Sequence, residues 1–310
     1  MKTYIITGGA GFIGSHLIEK IISLGNNVIC IDDLSSGFKS NIESLNKISF
    51  FQNKVQEFDL KNINNKIDGI FHLAAQASVP KSIEMFYESS KNNLLGTLKV
   101  FDWARQLNIP IVYASSSAIY GNLPIGDDEK NNFEILSPYA QDKLTMEHYA
   151  LLSNRIYNIS SIGLRFFNVY GPKQDPNSPY SGVISIFIDR LNKKQSVTIN
   201  GGYQTRDFIY VSDIVDTLFQ SMNLLHKQNK CFAINVGTGR SITIDELLQK
   251  LITIYNYSPN IIKKTLPVGD PEKSSGVYNK LINELHINND EFIDLEKGLL
   301  KTVNYYRNNE

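Results

Sequence analysis

The 310-residue sequence is poor in cysteine and has no excess of charge of either sign. Cys30 and Cys231 are the only cysteines, too few for a disulfide framework or a zinc cluster, and both lie in stretches typical of buried strands. The 31 basic and 31 acidic residues cancel, so no net field recruits nucleic acid or an anionic membrane. We therefore expect no metal site and no nucleic-acid partner.

Long apolar runs are also missing. No run approaches the ~18 residues that a membrane-spanning helix requires, so we expect no membrane partner. Met1 and Lys2 lead into a strand-like stretch without the pattern of a signal peptide, which predicts a cytoplasmic protein. The 42% of hydrophobic residues suffices for the core of one large or two modest domains.

The first 24 residues carry the most informative pattern. Residues 3–7 predict a short buried strand, residues 8–14 form a glycine-rich turn, and residues 15–24 predict an amphipathic helix. Strand, glycine turn and helix in this order are the context that a dinucleotide fingerprint requires. Glycine lets the backbone approach a pyrophosphate closely, and the helix start offers free N–H groups to the anion.

The second predicted strand, residues 27–31, ends at two carboxylates. Asp32 and Asp33 follow it directly, 18 residues past Gly14 in the case of Asp32. A carboxylate at this point can hold the adenosine ribose hydroxyls, and it repels a 2′-phosphate. The predicted cofactor is therefore NAD rather than NADP.

Strand and helix patterns alternate through the first half of the chain. This alternation predicts a doubly wound parallel (Rossmann) α/β sheet with helices on both faces. The further predicted strands are residues 48–53, 68–73, 111–114 and 159–165, and the further predicted helices are residues 88–107 and 137–153.

A tyrosine and a lysine on the last of these helices predict acid–base chemistry. Tyr139 and Lys143 stand four residues apart, so they share one helix face. An ammonium beside a phenol stabilises the phenolate, and a bound nicotinamide cation adds to this effect. A tyrosine that ordinarily titrates near ~10 can then act as a base near neutral pH. The serine-rich strand end at residues 115–117 can supply a hydroxyl that binds the substrate and shares the proton.

These motifs stand in the order found in one enzyme family. The sequence resembles the extended short-chain dehydrogenase/reductases, specifically the nucleotide-sugar epimerases and dehydratases. The resemblance covers most of the chain and rests on residues 7–16, Asp32, and residues 72–76, 115–121, 139–143, 164–168 and 205–209. It implies that residues 1–168 form the NAD-binding domain and residues 169–310 a smaller UDP-sugar-binding α/β domain. A strand near residues 231–236 is expected to return to the main sheet.

The resemblance also implies a mechanism and a set of residues. In this family the tyrosine takes a proton from a sugar hydroxyl while C4–H passes as hydride to tightly held NAD. In an epimerase the 4-keto sugar then rotates and the hydride returns to its other face. The implied cofactor-binding residues are Gly8, Gly11, Phe12, Ile13, Gly14, Asp32, Asp33, Asp59, Leu60, Leu73, Ala74, Ala75, Asn93, Tyr139, Lys143 and Phe166.

The segment before Tyr120 distinguishes between subfamilies. Dehydratases of this family carry Thr-Asp-Glu where this chain has Ser116, Ser117 and Ala118, so the carboxylates that eliminate water are missing. Decarboxylases that make xylose nucleotides keep a Glu at the position of Ala118 and fit poorly too. The same alignment makes Ser116 the catalytic serine, with Ser117 as the alternative if the loop is threaded one residue differently.

The implied substrate is a UDP-sugar, bound by Ser78, Ser116, Ser117, Asn168, Gln174, Arg206 and Ser274. Arg206 suits a diphosphate because a guanidinium pairs with phosphate through two hydrogen bonds; the alternative is a structural ion pair with Asp207 or Asp213. Asn168, together with the loop from Gln174 to Tyr180, favours neutral sugars over uronic acids. Pro267 departs from the family, which usually has an arginine there, and Lys263 or Lys264 are possible substitutes.

Ser274 bears on the choice of sugar. Epimerases restricted to UDP-glucose and UDP-galactose carry a bulky tyrosine five residues after a Gly-Asp pair, here Gly269-Asp270. A serine leaves room for an N-acetyl group at C2, which favours UDP-GlcNAc/UDP-GalNAc, with UDP-Glc/UDP-Gal as a second pair. The alternatives are that Ser274 is an ordinary loop residue, that the enzyme is a UDP-glucuronate 4-epimerase or a net dehydrogenase, or that the chain is a non-catalytic NAD(H)-binding Rossmann protein.

The family commonly forms homodimers through the helices around residues 93–107 and 139–153. Their apolar stripes allow a homodimer here, although a face buried within one chain would show the same pattern.

Overall fold

A computed structural model describes residues 1–178, 182–267 and 270–308. Its strands in chain order are β1 (Thr3–Thr7), β2 (Asn27–Asp32), β3 (Ile48–Gln52), β4 (Gly69–His72), β5 (Ile111–Ser116), β6 (Ser161–Phe166), β7 (Asn168–Tyr170), β8 (Val197–Asn200), β9 (Thr205–Tyr210), β10 (Cys231–Val236), β11 (Ser241–Thr243) and β12 (Ile261–Lys264). Its helices are α1 (Phe12–Ser23), α2 (Val79–Glu84), α3 (Phe86–Leu107), α4 (Pro138–Tyr157), α5 (Val183–Asn192), α6 (Val211–Leu225), α7 (Ile244–Tyr255), α8 (Asn279–Leu285) and α9 (Leu295–Asn308).

The chain forms two compact units. The first comprises Met1–Ile119, Ile135–Arg165 and Val215–Ile234, and the second comprises Tyr120–Glu134, Phe166–Ile214 and Asn235–Glu310. This division differs from a single boundary after residue 168. The segment that follows β5 belongs to the second unit, and most of α6 belongs to the first.

The first unit is built on a parallel sheet. Among the described residues its strand order is β10-β6-β5-β4-β1-β2-β3, so the expected returning strand β10 lies at one edge. β1 pairs in parallel with β2 on one side and β4 on the other, which places both strands' carboxyl ends beside its own. All five residues of β1 are buried, as expected for a strand covered by helices on both faces.

Two long helices of the first unit place polar residues against this sheet. Helix α3 ends at Asn108, whose left-handed conformation with φ of 52° terminates it. Helix α4 begins after Ser137, whose hydroxyl accepts a hydrogen bond from the Ala140 amide, and Pro138 occupies its first turn. The core between helices and sheet includes Trp103, Phe58 and Phe101, with aromatic edge-to-face contacts between Phe58 and Trp103.

The second unit contains two small sheets. Strands β11, β9 and β7 form one, in which β9 runs parallel to β7 and antiparallel to β11, and strands β12 and β8 form the other. Helix α7 begins with a capping box, in which the Thr243 hydroxyl and the Glu246 carboxylate each accept from the other's backbone amide. Helix α9 packs against this unit through Gly298, where a Cβ would lie 2.0 Å from the Tyr170 hydroxyl oxygen.

The predicted element order is confirmed where the patterns are long, and short elements were missed. The strands at residues 3–7, 27–31, 111–114 and 231–236 and the helices at 88–107 and 137–153 all form, with bounds shifted by a few residues. Helix α2 and strands β7, β11 and β12 were not predicted. These elements have three to six residues, too few to show a period.

Candidate active site

The glycine turn lies at the carboxyl end of β1. Gly8 has φ of 71°, and a Cβ there would lie 2.6 Å from the Ala74 amide nitrogen. Gly14 lies in the first turn of α1, where a Cβ would lie 2.2 Å from the Gly8 carbonyl oxygen. Gly11 precedes the helix, and among the described residues no side chain caps it. The amides of the first turn, which includes Phe12 and Ile13, therefore remain available to an anion.

Asp32 ties this turn to the end of β2. Its two carboxylate oxygens accept from the amides of Ala10, at 2.9 Å, and Leu34, at 2.8 Å. Burial raises the pKa of Asp32, and the two amide hydrogen bonds oppose that rise. Asp33 is half-buried and accepts from the Ser35 amide at 2.9 Å. Each carboxylate oxygen can accept more than one hydrogen bond, so both residues retain capacity for a sugar hydroxyl.

Asp59 and Leu60 lie past the end of β3. The Asp59 carboxylate accepts from the Lys61 amide at 3.0 Å and caps a short 3₁₀ turn. Leu60 is half-buried and packs against the core of the first unit. The structure thus gives both residues local roles in the protein itself.

The segment after β4 lies against the glycine turn. The Leu73 amide donates to the Thr7 carbonyl at 3.1 Å, and the Ala74 amide lies 3.3 Å from the Thr7 hydroxyl oxygen. Leu73, Ala74 and Ala75 are all half-buried. Ser78, further along, caps α2 by accepting from the Lys81 amide at 3.1 Å.

The side chain of Asn93 connects this segment to α4. Its side-chain oxygen accepts from the Gln76 amide at 2.8 Å, and its NH₂ group donates to the Gln76 carbonyl at 3.2 Å and to Asp142 at 3.1 Å. The residue is buried, and both its N–H bonds are used within the protein. This geometry gives Asn93 a positioning contact between the segment and α4, and its contact with the cofactor stays a prediction.

A buried histidine, missed as a site residue, links the same elements. The Nδ1 atom of His72 lies 2.7 Å from the Thr7 hydroxyl, and its Nε2 atom lies 3.1 Å from the Thr97 hydroxyl. Burial, with the nearby Lys143 charge, lowers the pKa of His72 to about 3. The signal in the sequence was a polar residue at the end of an apolar strand, which does not reveal its partners.

The predicted catalytic residues Ser116, Tyr139 and Lys143 lie together in the first unit. The Ser116 side chain lies near enough to the Tyr139 phenol to lower the pKa of that phenol, and its hydroxyl accepts from the Ala118 amide at 3.1 Å. The Lys143 ammonium lies 5.6 Å from the centroid of the Tyr139 ring and donates to the Ala114 carbonyl at 2.7 Å. All three residues are buried. Ser117, the alternative, begins the 3₁₀ turn that follows β5 and is half-buried.

Burial opposes ionisation of both groups in the Tyr139–Lys143 pair. Burial raises the pKa of Tyr139, and the Ser116 side chain offsets this only in part. Burial also lowers the pKa of Lys143 to about 8. Both shifts reflect the cost of holding charge in an apolar interior. The protein's own residues therefore favour the neutral phenol, and the base near neutral pH stays a prediction that includes the charge of a bound nicotinamide.

A second serine supports the start of α4. The Ser82 hydroxyl oxygen accepts from the Tyr139 amide at 3.2 Å, and its own proton goes to the Val79 carbonyl at 2.7 Å. Ser82 is completely buried on α2. It was missed because α2 itself was not predicted.

In the second unit, Arg206 is paired within the protein. Its guanidinium forms an ion pair with Asp270 and donates to the Thr205 carbonyl at 2.8 Å. The alternative partners Asp207 and Asp213 have other contacts: Asp207 accepts from the Thr238 hydroxyl at 2.6 Å, and Asp213 from the Ile293 amide at 2.9 Å. Arg206 is thus oriented by a carboxylate, the kind of anion that a phosphate resembles.

The second unit also contains Phe166, predicted to bind the cofactor, and the predicted substrate residues Asn168, Gln174 and Ser274. Phe166 is buried, and Asn168 opens β7 opposite Phe208. The Gln174 carbonyl accepts from the Tyr306 hydroxyl. Ser274 is half-buried, and its carbonyl accepts from the Ser241 hydroxyl at 3.0 Å.

Several positions that the sequence singled out cannot be placed or have other partners. Tyr180, in the loop after β7, and Gly269, in the Gly-Asp pair, lie outside the described residues. Lys263 pairs with Asp245 at 2.9 Å, so it has a carboxylate partner of its own. Within the described chain, no group of three or more His, Cys, Asp or Glu residues could hold a metal ion.

Comparison with known proteins identifies the family. The model of the NAD dependent epimerase/dehydratase family matches residues 4–237. The chain belongs to this family. Its NAD-dependent, Rossmann-type character agrees with the glycine turn, Asp32 and the parallel sheet described above.

Relatives of this epimerase/dehydratase chain match it over nearly its whole length. A chain of Methanocaldococcus jannaschii, provisionally described as a UDP-glucose 4-epimerase, is 36% identical over 313 residues, covering 98% of each chain. A UDP-N-acetylglucosamine 4-epimerase of Methanobrevibacter ruminantium, solved with UDP-N-acetylmuramic acid, has a TM-score of 0.92 at 34% identity, covering 100% of this chain and 99% of that one. A UDP-glucose 4-epimerase of Thermus thermophilus, solved with NAD, has a TM-score of 0.86 at 30% identity, covering 98% and 99%.

The residues present in this epimerase/dehydratase chain fit NAD. The Gly8 and Gly14 positions leave no room for side chains, which keeps the backbone accessible to a pyrophosphate. No acidic residue lies in the first turn of α1 to repel the anion. The adjacent carboxylates Asp32 and Asp33 favour ribose hydroxyls over a 2′-phosphate.

Within the described part of the chain, none of the helices combines the length and the apolar character of a membrane span.

Proposed function

We propose that the protein interconverts UDP-GlcNAc and UDP-GalNAc by NAD-dependent epimerisation at C4, and that it also accepts UDP-Glc and UDP-Gal. The coarser part, a UDP-sugar 4-epimerase that uses NAD, is supported by the family match and by relatives of both substrate types. The observation that carries it is the burial of Ser116, Tyr139 and Lys143 together, with the Lys143 ammonium 5.6 Å from the centroid of the Tyr139 ring. The finer choice of an N-acetylated sugar rests on Ser274.

Three side chains of the first unit move and hold the proton. The Tyr139 phenolate accepts the proton of the sugar's C4 hydroxyl, and the same phenol returns it after C4 is inverted. The Ser116 hydroxyl binds the C4 oxygen beside the Tyr139 phenol, whose pKa it lowers. Lys143 supplies a fixed positive charge near the phenolate, held in place by the Ala114 carbonyl. Bound NAD supplies the two-electron acceptor and donor for C4.

Residues of the second unit are proposed to hold the nucleotide and sugar. Arg206 binds the diphosphate, which replaces Asp270 as its anionic partner. Asn168, Gln174, Ser78 and Ser117 are proposed to contribute further substrate contacts, and Phe166 is proposed to flank the nicotinamide. Ser274 leaves space for the C2 N-acetyl group, whereas a tyrosine ring would collide with it.

A substrate panel tests this proposal. The purified holoenzyme is incubated separately with UDP-GlcNAc, UDP-Glc and UDP-GlcA, and the products are resolved by anion exchange and identified by NMR. We expect conversion of UDP-GlcNAc to UDP-GalNAc with the highest kcat/KM. Turnover of UDP-GlcA alone would reject the sugar assignment, and an inert enzyme with bound NAD would favour a non-catalytic binding role.

We further propose that the protein forms a homodimer through α3 and α4. These two helices pack against each other in the first unit and leave apolar side chains exposed. Leu95 on α3 is 47% exposed, and Leu152 and Ile156, which share one face of α4, are 45% and 58% exposed. Analytical ultracentrifugation should show a dimer that Ile156→Glu dissociates, with Leu300→Glu on α9 as the control. A monomeric wild-type protein would reject this interface.

A further inference from the structure

A buried carboxylate of α4 connects three elements of the first unit. The Glu147 carboxylate accepts from the Ser115 hydroxyl at 2.5 Å and from Arg165 through Nε at 2.9 Å and Nη2 at 2.6 Å. Ser115 lies on β5 and Arg165 on β6. The three residues are 2%, 5% and 5% exposed, so water does not compete for these bonds. No motif used in the proposed function includes Glu147.

Ser115 and Glu147 both lie close in sequence to residues of the proposed reaction. Ser115 immediately precedes Ser116, and Glu147 follows Lys143 by one helical turn. Lys143 itself donates to the carbonyl of Ala114, the residue before Ser115. Helix α4 therefore makes polar contacts with two consecutive residues of β5, one through an ammonium and one through a carboxylate.

Two such contacts define the register of α4 on β5. Lys143 and Glu147 are separated by about 6 Å along the helix axis, whereas consecutive strand residues are separated by about 3.3 Å. A sliding movement of the helix would break at least one contact and leave a buried charge without its partner, which is strongly unfavourable. The approach of Tyr139 on α4 to Ser116 on β5 depends on this register, because the two residues lie on the same helix and the same strand.

Stability alone does not account for the cluster. Removing two charges from water costs about as much as their pairing returns, and apolar pairs of similar volume often serve a fold as well. Positioning is a stricter demand, since a shift of ~1 Å at a reacting group can lower a rate by about 10²-fold.

We propose that Glu147 is a positioning residue that fixes α4 against β5, so that the Tyr139 phenol stays within hydrogen-bond distance of Ser116. The inference rests on the proposed function for the reaction that this geometry serves. It also assigns supporting roles to Ser115 and Arg165. Ser115 is the residue of β5 to which the Glu147 carboxylate binds, and Arg165 on β6 neutralises and orients that carboxylate.

Two variants separate positioning from folding. Glu147→Leu combined with Arg165→Met replaces the ion pair by apolar side chains, so it leaves no buried charge unpaired. Ser115→Ala removes only the hydroxyl and keeps the ion pair. We expect kcat to fall about tenfold or more in the double variant and about fivefold in Ser115→Ala, the factor of one ordinary hydrogen bond. KM and bound NAD should stay within about twofold of wild type, because the cofactor and diphosphate contacts are unchanged.

Ser221→Ala is the matched control. Ser221 is a fully buried serine of α6 whose hydroxyl donates to the Thr217 carbonyl of its own helix at 2.7 Å. Its kcat should equal that of wild type. A folded double variant with the kcat of wild type would overturn the proposal. If the double variant does not fold, a wild-type kcat in Ser115→Ala would overturn it instead.

A crystallographic readout separates this proposal from the assignment of function. The rate assay uses whichever UDP-hexose the wild-type enzyme converts. If wild type converts none, the proposed function fails, yet crystal structures still test the positioning. We expect the Tyr139 Oη–Ser116 Oγ hydrogen bond to be present in the wild-type holoenzyme and broken in the double variant. An intact bond in the double variant would contradict the role of Glu147.

Discussion

The hydroxyl of Thr7 lies 2.7 Å from Nδ1 of His72, and the neighbouring groups determine which atom of each hydrogen bond through this pair is the donor. The Thr97 hydroxyl donates its only proton to the Asn93 carbonyl at 2.7 Å, so it must accept from Nε2–H of His72. In a neutral imidazole Nδ1 is then an acceptor for the Thr7 hydroxyl. That hydroxyl in turn accepts from the Ala74 amide. The chain joins β1, β4 and α3 beneath the proposed cofactor site.

The first prediction is that His72 is neutral and carries its proton on Nε2. Nitrogen NMR of the holoenzyme should show one protonated and one unprotonated ring nitrogen with no titration of this residue between pH 5 and pH 8, since the pKa is lowered to about 3. A His72 signal that titrates near pH ~6.5 would contradict the buried chain.

The same shift predicts the direction of a pH effect on stability. Between pH ~6.5 and about 3 the unfolded state binds a proton at His72 and the folded state does not, so stability falls as pH decreases. Urea unfolding should show wild type losing about 2 kcal/mol between pH 7 and pH 5 from this residue. His72→Gln, which keeps a donor toward Thr97, should lack this component. If the free energy of unfolding of wild type and His72→Gln changed with pH in the same way, the predicted contribution of His72 would be contradicted.

The second prediction concerns the proposed base. Tyr139→Phe removes the proton acceptor, so kcat should fall by about 10²–10⁴-fold while UDP affinity stays near wild type. Steady-state kinetics and UDP titration calorimetry measure the two quantities. Tyr149→Phe, a half-buried tyrosine of the same helix, serves as the control. An unchanged kcat in Tyr139→Phe would show that the base lies elsewhere.

The third prediction concerns the diphosphate. Arg206→Ala should weaken UDP binding by about tenfold or more, and Arg206→Lys should weaken it less, because lysine keeps the charge but lacks the bidentate fork. Isothermal titration with UDP measures both. Arg190→Lys, at an exposed position of α5, is expected to bind UDP as wild type does. Equal UDP affinity in wild type and Arg206→Ala would make the Asp270 ion pair the residue's only role.

The fourth prediction concerns the sugar. Ser274→Tyr should abolish turnover of UDP-GlcNAc and spare UDP-galactose, because the ring collides only with a C2 N-acetyl group. Ser275→Tyr, the neighbouring half-buried serine, tests whether bulk anywhere in this segment has the same effect. If both sugars are lost equally in Ser274→Tyr, the residue is structural and the substrate preference must come from another position.

The fold followed from local signals, and the contacts of the site did not. The glycine turn, the acidic end of β2 and the Tyr139/Lys143 spacing are readable because the residues involved are near in sequence. Asn93 and His72 are different, since their partners Gln76, Asp142, Thr7 and Thr97 come from other elements. A one-dimensional pattern contains no information on which buried polar groups satisfy one another.

The cost of burying the proposed base was not visible in the sequence for a related reason. The sequence placed an ammonium beside a phenol and, with a bound nicotinamide cation, predicted a base near neutral pH. The structure adds burial, which raises the pKa of Tyr139 and lowers that of Lys143. Desolvation depends on the whole fold, so the spacing of two residues on one helix could not reveal it.

The fate of the hydrogen at C4 tests the central claim most directly. UDP-GlcNAc deuterated at C4 is incubated with the holoenzyme in ordinary water, and the UDP-GalNAc formed is examined by NMR and mass spectrometry. Inversion through a 4-keto sugar with internal return predicts that the product keeps its deuterium at C4, and that Tyr139→Phe forms almost none of it. Product in which solvent hydrogen has replaced the deuterium would contradict the account.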